Sequence, residues 1–178
     1  MEPVEINAGN YYLRQLRADE LLDDRPVLLE AFADAAHRRY VDLRIDTLAE
    51  AGAYVTQRAE EWAAGRRCSW CIAEPTTGRM LGEVGLKKLD LPAGTAEVAL
   101  WVHPQARGQG VAVDALGAAL RFGFGALELR QVTYQHTESN AASAAVARRC
   151  GFRFARAEDT RDGDREIFLT RGPEVAGL

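Results

Sequence analysis

Long hydrophobic runs are missing from this 178-residue sequence, and so is a strong charge bias. No apolar stretch reaches the roughly 20 residues that a membrane-spanning helix needs. The net charge of −4 offers no general attraction for nucleic acid or for an anionic membrane surface. The first seven residues lack the basic and apolar regions of a secretory signal peptide. We therefore expect a cytoplasmic protein that binds neither nucleic acid nor membrane.

Cysteine is also scarce, with three residues in the chain. Cys68 and Cys71 have the C-x-x-C spacing of redox and zinc sites, but no second pair exists to complete a zinc site. Both lie in a predicted strand, where residues three apart point to opposite faces. We favour buried, reduced thiols and expect no metal.

Repeats, low-complexity segments and internal linkers are absent as well. With 47% apolar residues, the chain is long enough to form one domain over 1–178, with a core of about 11–171. The G-x-S-x-G motif of α/β-hydrolases is missing too, which argues against a Ser-His-Asp hydrolase.

The apolar pattern predicts an α/β protein with a mixed sheet of about seven strands and about four helices. The predicted strands cover 11–16, 67–74, 80–89, 96–102, 131–136, 153–157 and 165–169. The predicted helices run over 19–32, where Pro26 is a candidate break, from Thr47 to Gly65, after Gly110, and between Asn140 and Gly151. The segment 36–46 is predicted to be irregular. The strands before the longest helix are expected to be antiparallel, and those flanking it parallel.

The stretch 96–127 organises the rest of the chain, because it predicts a buried strand, a turn with two glycines and a long amphipathic helix. The turn, 105–110, leaves the backbone bare at Gly108 and Gly110, where the helix begins. Unpaired N–H groups at the positive end of a helix dipole favour an anion. Arg107 adds a guanidinium that can bind phosphate. The turn predicts a phosphate site, although a G-x-G turn also occurs as a tight connection without a ligand.

Two common nucleotide motifs do not fit this turn. A phosphate loop of nucleotide hydrolases would have lysine after Gly110, and a dinucleotide fingerprint would have a third glycine where this chain has Val113. A nucleotide- or NAD-binding protein that uses the same helix start stays open as an alternative.

The turn Gln-Ala-Arg-Gly-Gln-Gly at 105–110 resembles the coenzyme A pyrophosphate loop of the GNAT family of N-acetyltransferases. The segment 140–152, with Asn140, Ser143 and a final Arg-Cys-Gly-Phe, resembles the second cofactor helix of its RimJ/RimL-like branch. The resemblance covers nearly the whole chain. It implies the GNAT-like acyl-CoA N-acyltransferase fold and acetyl-CoA as co-substrate. It also implies direct transfer, in a ternary complex, to a protein N-terminal α-amine or a small-molecule amine. The oligomeric state stays open, with a homodimer among the alternatives.

The resemblance also implies which residues bind the two substrates. The cofactor-binding residues would lie on the central strand, the turn and the second cofactor helix: Leu100, Trp101, Val102, Gln105, Arg107, Gly108, Gln109, Gly110, Val111, Ala112, Asn140, Ser143 and Arg148. The acceptor groove would include His37, Arg38 and Tyr40.

Glu97 and Ser143 are the catalytic residues that the resemblance implies. Glu97 would take the amine proton, directly or through water. The alternative interpretation is that Glu97 is an ordinary surface residue at the end of a strand. Ser143 would protonate the leaving thiolate, because the tyrosine that many family members carry on this helix is replaced here by Ala147. A serine there can instead bond to the backbone of its own helix. A non-catalytic acyl-CoA-binding module of the same fold is the alternative function.

Overall fold

The computed structural model describes residues 1–161 and 163–173, which form one eight-stranded sheet and five α-helices. The strands are β1 (Ile6–Ala8), β2 (Tyr11–Arg14), β3 (Cys68–Ala73), β4 (Met80–Asp90), β5 (Thr95–Val102), β6 (Gln131–Thr137), β7 (Arg153–Asp159) and β8 (Arg165–Arg171). The helices are α1 (Arg25–Ala33), α2 (Ala35–Tyr40), α3 (Leu48–Ala63), α4 (Val111–Gly125) and α5 (Ala141–Arg149), with a 3₁₀ turn at Pro104–Ala106. Within the described residues, no helix combines the length and hydrophobicity that crossing a bilayer requires.

The predicted α/β mixed sheet is confirmed, but the expected numbers of strands and helices are each one too low. The first missed element, β1, has three residues and pairs only with β2 at the edge of the sheet. The second, α2, begins one residue before the segment 36–46 that the sequence predicts to be irregular and covers the first five residues of that segment. Its six residues show no apolar period, and the carboxylate of Asp34 starts the helix by accepting a hydrogen bond from the N–H of His37.

The first predicted helix is shorter than expected. It begins at Arg25, with Pro26 in the first turn, where the missing N–H of proline leaves no bond unmade. The residues before it form bends, and the buried carboxylate of Asp24 accepts hydrogen bonds of 2.7 and 2.9 Å from the guanidinium of Arg14. This two-bond pair ties β2 to the start of α1.

Helices cover both faces of the sheet and form two apolar clusters. The larger cluster packs α4 against the sheet and includes Trp70 and Leu116. The smaller cluster packs α1 and α3 against the opposite face and includes Phe32. All three cysteines are unpaired and buried, and Cys68 and Cys71 belong to different clusters. The prediction of buried, reduced thiols facing opposite sides is therefore confirmed.

The sheet is split between its two parallel strands. The strand order is β1-β2-β3-β4-β5-β6-β8-β7, and β5 and β6 are the parallel pair. They pair only where Thr95 to Glu97 meets Gln131 to Thr133, although β5 continues to Val102 and β6 to Thr137. Beyond Glu97, β5 keeps β4 on one side and has no strand on the other, while β6 pairs with β8. The diverging strands open a gap in the middle of the sheet.

Candidate functional site

The gap between β5 and β6 opens into a cleft of about 440 Å³. Its lining comes from four parts of the chain: the unpaired end of β5, the turn before α4, the inner face of α5, and α2 with the residue after it. The elements that the sequence predicted to bind a cofactor thus meet around one cavity.

Gly108 and Gly110 make the turn before α4 accessible to a ligand. Both have positive φ, +76° and +82°, a conformation that residues other than glycine adopt at a cost. A Cβ built on either glycine would meet no atom within 4 Å, and residues 107–110 are exposed. The turn is therefore neither buried beneath other chain nor too narrow for a ligand.

The backbone amides at the end of this turn and the start of α4 are available to a ligand. Among the described residues, no N–H from Gly108 to Ala112 donates to a protein acceptor. The next two amides, of Val113 and Asp114, donate to the carbonyl of Gly110 at 3.0 and 3.1 Å. Unpaired amides at the positive end of a 15-residue helix are an anion-binding site.

The two glutamines of the turn brace it and are not part of the cleft lining. The amide nitrogen of the Gln109 side chain donates to the carbonyl of Gln105 at 3.0 Å. Arg79 donates to the side-chain oxygen of Gln105 at 2.9 Å, and the hydroxyl of Tyr11 donates to the carbonyl of Gln109 at 2.9 Å. These bonds hold the turn in place and leave the backbone N–H groups from Gly108 to Ala112 available.

Arg107 is bound by protein groups. Its Nη2 donates to Oδ2 of Asp34 at 2.8 Å, and its Nε donates to the carbonyl of Val102 at 3.2 Å. The hydrogen bond from Arg107 lowers the pKa of Asp34, so that this carboxylate stays charged. Because Asp34 also caps α2, the pair fastens the turn to that helix. The Arg107 side chain is still 40% exposed, which leaves part of it accessible to an anion.

Ser143 lies on the α5 side of the cleft. Its N–H donates to Oδ1 of Asn140 at 3.1 Å, so Asn140 caps the helix as predicted. The Ser143 hydroxyl lies 2.8 Å from the hydroxyl of Tyr134, and within the described residues it makes no bond to a carbonyl of its own helix. The serine hydroxyl is thus hydrogen-bonded to a side chain of β6.

Arg149, rather than the predicted Arg148, lines the cleft. Arg148 is exposed on another side of α5. Arg149 follows Ala142 by seven residues and Ala145 by four, so these three share one face of the helix. Arg148 is rotated away from that face by about 100°. The helical spacing could have identified Arg149 from the sequence.

Two of the three predicted acceptor-site residues line the cleft, namely His37 and Tyr40. The hydroxyl of Tyr40 donates to the carbonyl of Ser139 at 3.4 Å, which connects α2 to the residue before the α5 cap. Arg38 is directed elsewhere, because its guanidinium donates to the carbonyl of Phe32 and to the carboxylate of Asp46.

His37 has an unusual environment for a histidine. Its ring is buried against Phe32 and Trp101, with centroids 4.4 and 5.8 Å away. Burial, together with the nearby charge of Arg107, lowers the pKa of His37 to about 4, so the ring is neutral at pH 7. Its Nε2 is buried and has no hydrogen-bond partner among the described residues. A neutral imidazole with an unpaired nitrogen beside a cleft can hydrogen-bond a substrate.

Glu97 is not part of the cleft lining. It is the last residue of β5 that pairs with β6, so it lies where the strands begin to separate. The ammonium groups of Lys87 and Lys88 lie 2.6 and 2.7 Å from its two carboxylate oxygens. Burial alone would raise the pKa of Glu97, but the hydrogen bonds from both lysines outweigh burial and lower it. The structure therefore does not bring Glu97 together with Ser143, and its carboxylate is a weak proton acceptor.

A buried carboxylate that the sequence does not reveal, Glu83, lies behind the cleft. It is 1% exposed and sits on β4 opposite Trp101. It accepts hydrogen bonds from the Tyr54 hydroxyl at 2.5 Å, from Arg67 at 3.0 Å and from the Trp101 indole at 3.3 Å. Glu83 thus holds the indole of Trp101, which lines the cleft. The sequence does not show that a glutamate in a strand is buried when the side chains that bind it come from other elements.

An open turn with unpaired amides at a helix start, beside a split in the sheet, defines a class of protein, one that binds a phosphate-bearing ligand. The family follows from the sequence. A family model for the acetyltransferase (GNAT) domain matches residues 11–153, and the chain belongs to this family. It is therefore an acetyltransferase domain, as the resemblance implied. No curated protein sequence matches the chain.

Solved acetyltransferases share the fold over nearly the full chain. RimJ of Mycobacterium smegmatis in complex with CoA-disulfide is 20% identical, with a TM-score of 0.83 over 97% of this chain and 88% of that chain. The ribosomal-protein-S5-alanine acetyltransferase of Vibrio fischeri is 14% identical, with a TM-score of 0.81 over 98% and 100%. The microcin C7 self-immunity acetyltransferase MccE in complex with acetyl-CoA and AMP is 14% identical, with a TM-score of 0.79 over 93% of both chains.

Proposed function

We propose that this protein acetylates the α-amine of a peptide or protein N-terminus, or a small amine of similarly low pKa. Acetyl-CoA is the donor, and the amine attacks it directly in a ternary complex. The observation that carries the proposal is the open turn at 108–112, whose unpartnered amides border the cleft between the diverging strands. The similarity in structure to the ribosomal-protein-S5-alanine acetyltransferase of Vibrio fischeri supports the acceptor class.

The two halves of acetyl-CoA would bind different parts of the cleft. The diphosphate would bind the amides of the turn at the positive end of α4. The pantetheine arm would follow residues 100–102 of β5, whose edge towards β6 has no strand partner. An N–H of that edge would bind the oxyanion, an interaction worth about 2.7–4 kcal/mol in other enzymes. Ser143 would hydrogen-bond the departing thiolate.

The proton acceptors near the cleft favour an amine of low pKa. Only a free amine attacks a thioester, and an α-amine with a pKa of about 7.8 is roughly one-third free at pH 7.5. A lysine amine with a pKa of about 10.4 is only about 0.1% free at the same pH and needs a strong base. The pKa of Glu97 is lowered and that of His37 is about 4, so neither is such a base. We propose that Glu97 or His37 accepts a hydrogen bond from an amine that is already partly free.

A thiol-release assay with matched peptides tests this proposal. Peptides with a free N-terminus and no lysine are compared with the same peptides N-acetylated and carrying one internal lysine, alongside small amines. We expect coenzyme A release with the free α-amines and at least about 100-fold less with lysine at pH 7.5, from the difference in free amine. Mass spectrometry locates the acetyl group. Cofactor binding without release, for every amine, would show a non-catalytic acyl-CoA-binding module instead.

We also propose that the chain is a single domain that works in the cytoplasm. Its three buried, unpaired cysteines fit a reducing compartment. Light scattering gives the molar mass of the purified protein and so tests whether it is a homodimer.

A further inference from the structure

Two hydroxyl groups meet beside the cleft, and one of them belongs to Tyr134, which has no part in the proposed function. The phenol of Tyr134 on β6 lies 2.8 Å from the hydroxyl of Ser143 on α5. Tyr134 is 4% exposed, and its ring packs against Phe152 at a centroid distance of 5.3 Å. Ser143 is only partly buried and lines the cleft. The phenol is therefore inside the protein, and the serine stands between it and the cavity.

The burial of Tyr134 favours one direction for this hydrogen bond. Among the described residues, its hydroxyl has no partner other than Ser143. Either hydroxyl could donate in this pair, but a buried O–H that donates to nothing is costly, which favours the arrangement in which the phenol donates to the serine oxygen. That arrangement leaves the proton of the serine hydroxyl free to point into the cleft, where none of the residues that the structure describes accepts it.

We propose that Tyr134 is a positioning residue for Ser143, which it orients towards the thioester sulfur and whose proton it replaces as the thiolate departs. The inference rests on the proposed acetyl transfer. A serine hydroxyl alone is a much weaker acid than a thiol, whereas a phenol, with a reference pKa of about 10, is closer to one. The α5 position that could carry a phenol directly is the fully buried Ala147, and the phenol from β6 reaches the same helix through Ser143.

The proton transfers in this step balance. The carbon–sulfur bond of the tetrahedral adduct breaks, and its electron pair goes to sulfur. Sulfur takes the proton of the Ser143 hydroxyl, and the serine oxygen takes the proton of Tyr134. The amine nitrogen, which becomes cationic on attack, releases one proton to water, and the phenolate regains one from water as the products leave. The products are a neutral amide and a thiol. Burial raises the pKa of Tyr134, and a hydrogen bond that Ser143 donates to the phenolate offsets part of that rise.

Single-turnover rates of Tyr134→Phe, Ser143→Ala and the double variant test the proposal. We expect Tyr134→Phe to lower the rate of acetyl transfer at least about 10-fold, with the KM for acetyl-CoA within about twofold of wild type. The double variant should be no slower than Ser143→Ala alone, because the phenol acts through the serine. Ser143→Thr, which keeps a hydroxyl, should restore most of the rate. Tyr12→Phe is the matched control, since it removes a phenol hydroxyl that donates to Glu5 on the edge of the sheet.

A Tyr134→Phe rate within about twofold of wild type, or losses that multiply in the double variant, would overturn the proposal. The wild-type enzyme gives a second measurement that needs no variant. Its rate in H₂O/D₂O mixtures should fall along a curve, because two protons move together, and a straight line would contradict the relay. If the wild-type protein acetylates no amine at all, the proposed function fails instead, so the two failures are distinct.

Discussion

Replacing Gly108 by glutamate should weaken coenzyme A binding at least about 100-fold while leaving the fold intact. At φ +76°, any side chain costs about 1–2 kcal/mol of stability. No atom lies within 4 Å of the new Cβ, so the free protein has room for it. In the complex, a carboxylate at about 5 Å from a phosphate charge would be repelled by up to about 3 kcal/mol at an effective dielectric constant of 20. Together with the space taken from the ligand, we expect Kd to rise at least about 100-fold.

Gly163 provides a matched control for this variant. It also has positive φ, +81°, and no atom within 4 Å of a built Cβ, but it lies in the connection between β7 and β8. Gly163→Glu should therefore lose as much thermal stability as Gly108→Glu and keep the wild-type Kd for coenzyme A in calorimetric titration. Gly108→Ala separates charge from volume, and we expect a smaller loss of affinity. Wild-type affinity in Gly108→Glu would refute the assignment of the turn as the diphosphate site.

Three further predictions concern buried charges and protons. Asp24→Ala should cost about 3–5 kcal/mol in urea unfolding, because it leaves the guanidinium of Arg14 buried without its partner. Wild-type stability should fall as pH drops from about 6.5 towards 4, by an amount of the order of 2 kcal/mol, because unfolded His37 binds a proton that the folded ring excludes. Glu97→Gln should lower kcat and shift its pH dependence, because it removes a carboxylate proposed to accept a hydrogen bond from the attacking amine.

Each of these predictions has its own control. Asp23→Ala breaks a neighbouring, partly exposed pair with Arg25 and should cost less than about 1 kcal/mol; an equal loss from both variants would contradict the burial argument. His37→Phe should flatten the stability profile between pH 6.5 and 4, and an unchanged slope would assign it to other groups. An unchanged pH profile in Glu97→Gln would remove Glu97 from the reaction.

The sequence pattern predicted most of the sheet and the position of the cofactor turn. Seven of the eight strands, the parallel pair and the capping of α5 by Asn140 all follow from periodicity and local residue chemistry. The sequence pattern did not predict the short elements β1 and α2, because segments of three and six residues are too short to show a period. The Pro26 helix is shorter than predicted because Asp24 is used in a buried pair with Arg14 instead of a helical turn.

The candidate site was less predictable than the fold. Arg107, expected on the phosphate, is bound to Asp34, 73 residues earlier in the chain. Arg148 and Arg149 differ only in their rotation on α5, which matters once the cleft defines an inner face. Glu97 stands at the position where the family resemblance implies a catalytic carboxylate. The groups around it depend on the register of β4, which places Lys87 opposite it.

By itself, the sequence determined what depends on near neighbours: the bare backbone at Gly108 and Gly110, the helix that starts behind it, and the strand that leads into it. Only the tertiary structure decided what joins distant segments. It opened the sheet after Glu97, left the Nε2 of His37 unpaired beside the cleft, and brought Tyr134 to Ser143. The physical reason is that turn and cap geometry depend on a few consecutive residues, whereas burial, strand divergence and hydroxyl contacts depend on how whole elements pack.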